Sequence, residues 1–361
     1  MLAEAPLSVA LGLCKPPIAA GSGSGGLKWD IVPRDADESI VVYRMESNDP
    51  AVRMPELGRS VVHAQGVFCV KERLMVTADF KPIVLAYGAA LVAAILILGV
   101  VEAHVLWEVL LADLVATLVI FGFSRAYRNS SFYDAYWSVI PPVMAVYWLC
   151  FDAGGADPAR KAVVLILVWL WGIRLTANWA LGWQGPGHED WRYGPIKQQA
   201  GRWGWLADFA GIHLFPTLIV YVSCLPIYAA VSLGERAWNL LDWCAVIITL
   251  GAILIELSAD VQMRQFVANK KPGEIMKTGL WRYSRHPNYF GEMSFWLGLM
   301  VFGLAAHPAG WWWIMPGALA MTVMFFTVSV PLMDKRSLER RPEYADHMNK
   351  VSAIIPWFPK A

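Results

Sequence analysis

Charged side chains are scarce in this chain: only 16% of its 361 residues, against 57% hydrophobic. A soluble domain carries about 25% charged and about 45–50% apolar residues, so an ordinary soluble domain is excluded. The net charge of +1 excludes the basic field that nucleic-acid binding requires. Cysteine is sparse. Cys14, Cys69, Cys150, Cys224 and Cys244 form no C-x-x-C pair, which removes zinc ribbons and dithiol redox motifs, and three of them sit in apolar runs as small hydrophobes. His188-Glu-Asp190 has metal-ligand residue types, but adjacent residues point apart and no second His stands at helical spacing, so no metal site is expected. The first 20 residues contain no Arg, which argues against a transit peptide, and Leu7–Leu13 is short for a signal-peptide core. Gly21–Gly26 follows no strand and reads as a linker rather than a phosphate cradle.

Long apolar runs and tryptophan are what the chain has in excess. Many of its 19 Trp residues stand at the ends of apolar runs, where an aromatic belt marks the membrane–water boundary. Residues 1–80 hold no run of membrane length and read as a separate soluble or linker segment, with short strands expected at Ser39–Met45 and Val61–Val76 from their β-branched content. From residue 81 the chain is a ladder of runs near the roughly 20 residues a spanning helix needs: about 82–101, 105–123, 138–153, 161–182, 209–233, 239–262, 290–306 and 310–332. The expected fold is therefore an all-α transmembrane bundle of seven or eight spans, its cofactor-binding part expected at about 255–361. Alternate loops carry Arg125 and Arg128, then Arg192, Lys197 and Arg202, then Arg264 through Arg285, then Lys335 through Lys350; the opposite loops carry only Arg160, Lys161 and Arg236. Lys and Arg gather on the cytoplasmic side, so both termini are expected there.

Polar residues concentrate at the same side, where ionisable groups at membrane depth are costly unless they work. Arg125–Trp137 contains Tyr133 and Asp134, a group able to donate to a carbonyl or, alternatively, an interfacial belt with a capping Asp. Arg174 and Asn178 share a helix face, and Glu189 or Asp190 is placed to pair with Arg192 or Arg174. Glu256, Asp260 and Arg264 form one helical stripe: a carboxylate there takes a ribose hydroxyl or pairs with Arg264, while Arg264, Lys270 and Lys271 suit phosphates. The densest tract is Leu280-Trp-Arg-Tyr-Ser-Arg-His-Pro-Asn-Tyr-Phe-Gly-Glu292. Pro287 biases Ser284-Arg-His286 toward extended backbone and can open the next helix, whose N-terminus favours an anion.

That tract, followed by Phe295-Trp-Leu-Gly298 in the next helix, resembles the C-terminal domain of the steroid 5α-reductase family. More closely, residues 82–359 resemble its DUF1295 branch, through Asn129–Val139, His188–Tyr193, Asp260–Arg264, Lys335–Tyr344 and Pro356-Trp357. The resemblance implies a helical bundle with an NADPH pocket open to the cytosol and a lipid-side entrance for an apolar substrate. Carried over, Asp260, Arg264, Lys271, Trp281, Arg282, Arg285, His286, Asn288, Tyr289 and Glu292 become the cofactor set, with Arg336 and Arg340 reaching the phosphates. The family's early Gln-Glu pair has no counterpart here, so the catalytic acid is expected among Tyr133, Asp134 and Glu189. The expected function is an NADPH-dependent reduction of a conjugated C=C bond in a sterol-like or polyprenoid lipid, in the endoplasmic reticulum of a eukaryote or the inner membrane of a bacterium. Membrane methyltransferases share a similar tract, so an S-adenosylmethionine-dependent methyltransferase is the alternative, and a non-catalytic lipid-binding protein a further one.

Overall fold

A computed structural model describes residues 24–27, 32, 38–47, 49, 52, 79–151, 155–234, 236–270 and 273–360. It divides into two units: residues 1–79 with 265–274, and 80–264 with 275–361. In the first, Ile40–Glu46 is a helix, with Val32 N bonded to Ser39 Oγ at 2.8 Å and Arg44 Nε to Val52 O at 2.9 Å. The strand expected at Ser39–Met45 is thus a helix: its β-branched run ends after Val42, and the helix formers Arg44, Met45 and Glu46 carry the turn. Val61–Val76 lies outside the described residues.

The second unit is all helix: α1 (Lys81–Val100), α2 (Val105–Tyr127), α3 (Tyr136–Leu149), α4 (Pro158–Gly182), α5 (Tyr193–Gln199), α6 (Gly201–Leu233), α7 (Leu240–Asn269, whose last turn belongs to the first unit), α8 (Pro287–Ala306), α9 (Pro308–Arg340) and α10 (Tyr344–Lys350). Seven helices among the described residues are long and apolar enough to cross a membrane: α1, α2, α4, α6, α7, α8 and α9. The chain is a polytopic membrane protein. Helix α3 has only 14 residues, too few to cross a membrane alone, and links the later half of α4 to the first turn of α2. Near its start Ser138 Oγ meets Thr176 Oγ1 at 2.8 Å, near the end of α4; at its finish Tyr147 Oη donates to Glu108 Oε2 at 3.2 Å, in the first turn of α2.

Helix α6 is the centre, packed against α2, α3, α8 and α9. It is not uniformly α: Asp208–Leu214 and Ala229–Leu233 are π-helical, as is Phe325–Ser329 in α9. Without water in the hydrocarbon, helices associate through close packing, which small residues permit. A Cβ on Gly172 of α4 would lie 2.7 Å from Ser138 O of α3, and one on Gly291 of α8 would lie 3.0 Å from Ala252 O of α7 and overlap the Glu256 side chain. Gly291 therefore makes the room that Glu256 occupies.

Candidate active site

A cavity of about 330 Å³ opens among α4, α6, α7, α8 and α9. One wall is polar. Arg174 of α4 faces Glu256 and Asp260 of α7 and Glu292 of α8. Its Nη1 donates to Asp260 Oδ2 at 2.8 Å and its Nη2 is 3.7 Å from Glu292 Oε2. Glu292 also accepts from two indoles, Trp171 Nε1 at 3.1 Å and Trp296 Nε1 at 3.0 Å. Glu256 touches Arg174 Nη2 but accepts no aligned hydrogen bond at either oxygen, and the buried Oδ1 of Asn288 has no partner. Most native buried polar atoms are paired, so these open acceptors mark a place for donors from a ligand. The remaining walls are apolar: Trp137, Phe215, Ile219, Met321, Phe325 and Val328 among others.

Arg192 and Tyr193 close the cavity from the loop before α5. Asp190 grips Arg192 at Nε (2.8 Å) and Nη2 (3.1 Å), the pairing the sequence suggested. Tyr193 Oη donates to Asp134 Oδ1. Burial pushes the Asp134 carboxyl up to about 6, against the opposing pull of Arg192 and the Tyr193 hydroxyl. Burial and the Asp134 charge likewise push the Tyr193 phenol up. A carboxyl whose folded pKa is raised loses its proton first in the unfolded chain, so this group's contribution to stability falls as pH rises from about 4 to about 6 and then stays level. Asp134→Asn removes that slope. The melting temperature of the variant relative to the parent, followed in detergent from pH 4 to pH 7, is expected to climb through this window.

Of the residues expected to form a site, Asp260, Asn288, Tyr289 and Glu292 line the cavity. Arg264 stands one step away, bonded to the cavity residue Asn178. Asp134 is one step away through Tyr193. Arg336 sits 3.4 Å from the Trp191 ring centroid, beside the Arg192 loop, and Arg340 is exposed at the end of α9. The others do not line the cavity. Tyr133 is buried with its hydroxyl 2.7 Å from Thr217 Oγ1. Glu189 accepts from Ser130 N at 2.7 Å and from Lys197, stitching the Pro186–Asp190 loop to the turn between α2 and α3. Trp281 Nε1 donates to Ala259 O at 3.1 Å, and Arg282 is exposed over Tyr283. Arg285 and His286 both grip Asp334, at 2.6 Å and 2.9 Å, and Arg285 Nη1 also donates to Met348 O and Val351 O at 2.9 and 2.7 Å. They fasten the C-terminal segment. Lys271 lies outside the described residues.

The site set left out Arg174, Glu256, Arg192, Tyr193, Trp171 and Trp296. The first two did have a signal, a charge at a helix face inside an apolar run. Among the described residues no group of three His, Cys, Asp or Glu side chains is arranged to hold a metal ion.

Fold and cavity define a multi-pass helical membrane protein with a mixed polar and apolar chamber at one end of the bundle. The chain belongs to the family described as Protein of unknown function (DUF1295), which matches residues 120–351. It is similar to an uncharacterised protein of Schizosaccharomyces pombe, 28% identical over 270 residues that cover 68% of this chain and 78% of that protein. No solved structure matches.

Proposed function

We propose that the protein is a membrane-embedded, NADPH-dependent reductase of a conjugated C=C bond in an apolar lipid, related to the steroid 5α-reductases, with both termini at the cytoplasmic face. One observation carries this reading: Asn288, Tyr289 and Glu292 of the resemblance-bearing tract converge with Asp260 on one cavity wall, opposite an apolar chamber. The residues fit the reactive end of such a cofactor. The open acceptors of Glu256 and Asn288 suit a carboxamide N–H and ribose hydroxyls, and Arg192 and Arg336 suit phosphates at the mouth. At about 330 Å³ the cavity is at the small end for ligand sites, enough for a ring and its sugar rather than a whole dinucleotide.

Bound there, the cofactor supplies a hydride. The chain's own groups do the rest. Asp260 and Glu292 place negative charge where positive charge develops as hydride departs. When Asp134 carries a proton, its O–H donates to Tyr193 Oη and frees the phenol proton, now held by Asp134 Oδ1, for the oxygen that becomes an enolate; burial, which raises the Asp134 carboxyl to about 6, favours that form. The apolar walls seat the lipid and exclude water. The surplus of carboxylates also suits a sulfonium, which favours S-adenosylmethionine as the second reading.

Titration of the detergent-solubilised protein with NADPH, NADH and S-adenosylmethionine, followed by thermal unfolding, tests this. NADPH alone is expected to stabilise, by about 2.7 kcal/mol at a hundredfold excess over Kd, and Asn288→Ala to weaken that binding about tenfold. Stabilisation by S-adenosylmethionine alone overturns the proposal. Silence toward all three favours a lipid-binding protein without turnover.

A further inference from the structure

The polar wall of the cavity holds more acid than base. Glu256, Asp260 and Glu292 face Arg174 directly, with Arg264 one helical turn beyond Asp260 and bonded to the neutral Asn178, while Arg192 is paired with Asp190. Three ionised carboxylates against Arg174 and Arg264 would leave one negative charge uncompensated inside a membrane bundle. An uncompensated buried charge costs several kcal/mol, and a carboxyl in that position takes up a proton instead.

The three acids are not equivalent. Glu292 receives both indole N–H groups, Trp171 and Trp296, and lies 3.7 Å from the guanidinium. Asp260 receives an aligned donor from Arg174 at 2.8 Å and is the nearest of the three to the mouth end of α7. Glu256 is 1% exposed and lies one helical turn further from the mouth end of α7 than Asp260. Beyond its contact with Arg174 Nη2 it has no donor, neither an indole nor a backbone N–H, and Gly291 of the neighbouring helix is cut away to admit it. Its one charged contact, Arg174, is shared with the other two.

We propose that Glu256 is held as a neutral carboxylic acid in the resting protein and is the proton donor of the cavity. Resting on the reductase reading, the step balances as follows. The hydride pair from the dihydronicotinamide forms a C–H bond at the β-carbon of the conjugated lipid. The Glu256 O–H bond then breaks, and its proton forms the second C–H bond at the α-carbon. Glu256 is left as a carboxylate against Arg174, the reductant is oxidised by two electrons, and a proton from water restores the acid. Tyr193 polarises the substrate oxygen, while Glu256 supplies the carbon-bound proton, which separates two roles that a single acid was expected to fill.

The test reads the acid directly and needs neither cofactor nor substrate. Infrared spectra of the solubilised full-length protein at neutral pH, in water and in heavy water, are expected to show the deuterium-sensitive carbonyl stretch of a protonated carboxyl. The wild-type-minus-Glu256→Gln difference spectrum is expected to show the loss of one such component, over whatever Asp134 contributes, while the differences for Asp260→Asn and Glu292→Gln show none. A Glu256→Gln difference without that component overturns the proposal, and so does its loss in Glu292→Gln. Should Glu256→Gln fail to fold, Glu256→Asp shifts the band if the assignment holds and leaves it in place if it does not. Loss of NADPH stabilisation in the earlier titration would defeat the reductase and leave the protonated acid standing; an absent band with intact NADPH binding would do the reverse.

Discussion

Replacing Arg160 by methionine is expected to cost about 3–5 kcal/mol of stability, the usual penalty for stripping one partner from a buried ion pair. Arg160 and Asp242 are both fully buried. The guanidinium donates to Asp242 Oδ1 and Oδ2 at 2.7 Å each, and its remaining N–H groups reach Arg236 O at 2.7 Å and Ala237 O at 3.2 Å. The methionine leaves Asp242 as a lone buried charge between the starts of α4 and α7. The double variant Arg160→Met with Asp242→Leu removes the charge as well and is expected to regain most of the loss. Recovery stops short of complete because Asn239 N, which donates to Asp242 Oδ2 at 2.8 Å, is stranded. Denaturation in mixed detergent micelles, read for both single variants and the double, gives the coupling. Additive losses would mean that the pair is not the unit described.

Asp334→Ala is expected to act at the other end of the bundle, with a loss of similar size, about 3–5 kcal/mol, concentrated in the chain after α9. Asp334 accepts from Arg285, His286 and, at 3.2 Å, Tyr344 Oη. Its removal strands two basic groups and loosens α10, which is then held to the tract before α8 only through Arg285 to Met348 O and Val351 O and the backbone contacts beyond. Limited trypsin digestion with mass spectrometry is expected to show cleavage after Lys350 and Arg340 before any cut in the spans. NADPH-dependent stabilisation is expected to weaken too, because the His286 ring stacks at 5.3 Å on Tyr289, which lines the cavity. Asp334→Asn keeps one acceptor oxygen and is expected to lose less. Equal protease resistance in wild type and Asp334→Ala would show that the segment is fastened elsewhere.

The spans were legible because run length alone decides them in a bilayer; even α3, 14 residues with Pro141 and Pro142 inside, lies within the run expected at 138–153 apart from its first two residues. Partnership was not legible. Helical spacing set Asp260 with Arg264, four residues on, whereas the guanidinium that reaches Asp260 is Arg174, 86 residues earlier, and Arg264 turns to Asn178 instead. The tract Leu280–Glu292 reads in sequence as one dense site, yet Pro287 cuts it in two. Before it the chain is non-helical, and Trp281, Arg285 and His286 turn to hold backbone and Asp334. After it α8 begins, and Asn288, Tyr289 and Glu292, at helical spacing, project into the bundle. Which half faces inward depends on where the C-terminal segment docks, a long-range contact that no local pattern encodes.

The π-helical turns Asp208–Leu214 and Phe325–Ser329 stand on two sides of the cavity. A π turn is an α-helix carrying one extra residue, and one residue of an α-helix subtends about 100°. Deleting a single residue from either turn would therefore leave the helix unbroken and its hydrophobic length nearly unchanged, while swinging every later side chain a quarter-turn or more around the axis. Met321 and the residues before it would keep their places, and Val328 and Leu332 would leave theirs. The shape of the chamber is thus set by helix register at two points, Asp208–Leu214 and Phe325–Ser329, rather than by the length or hydrophobicity of the spans.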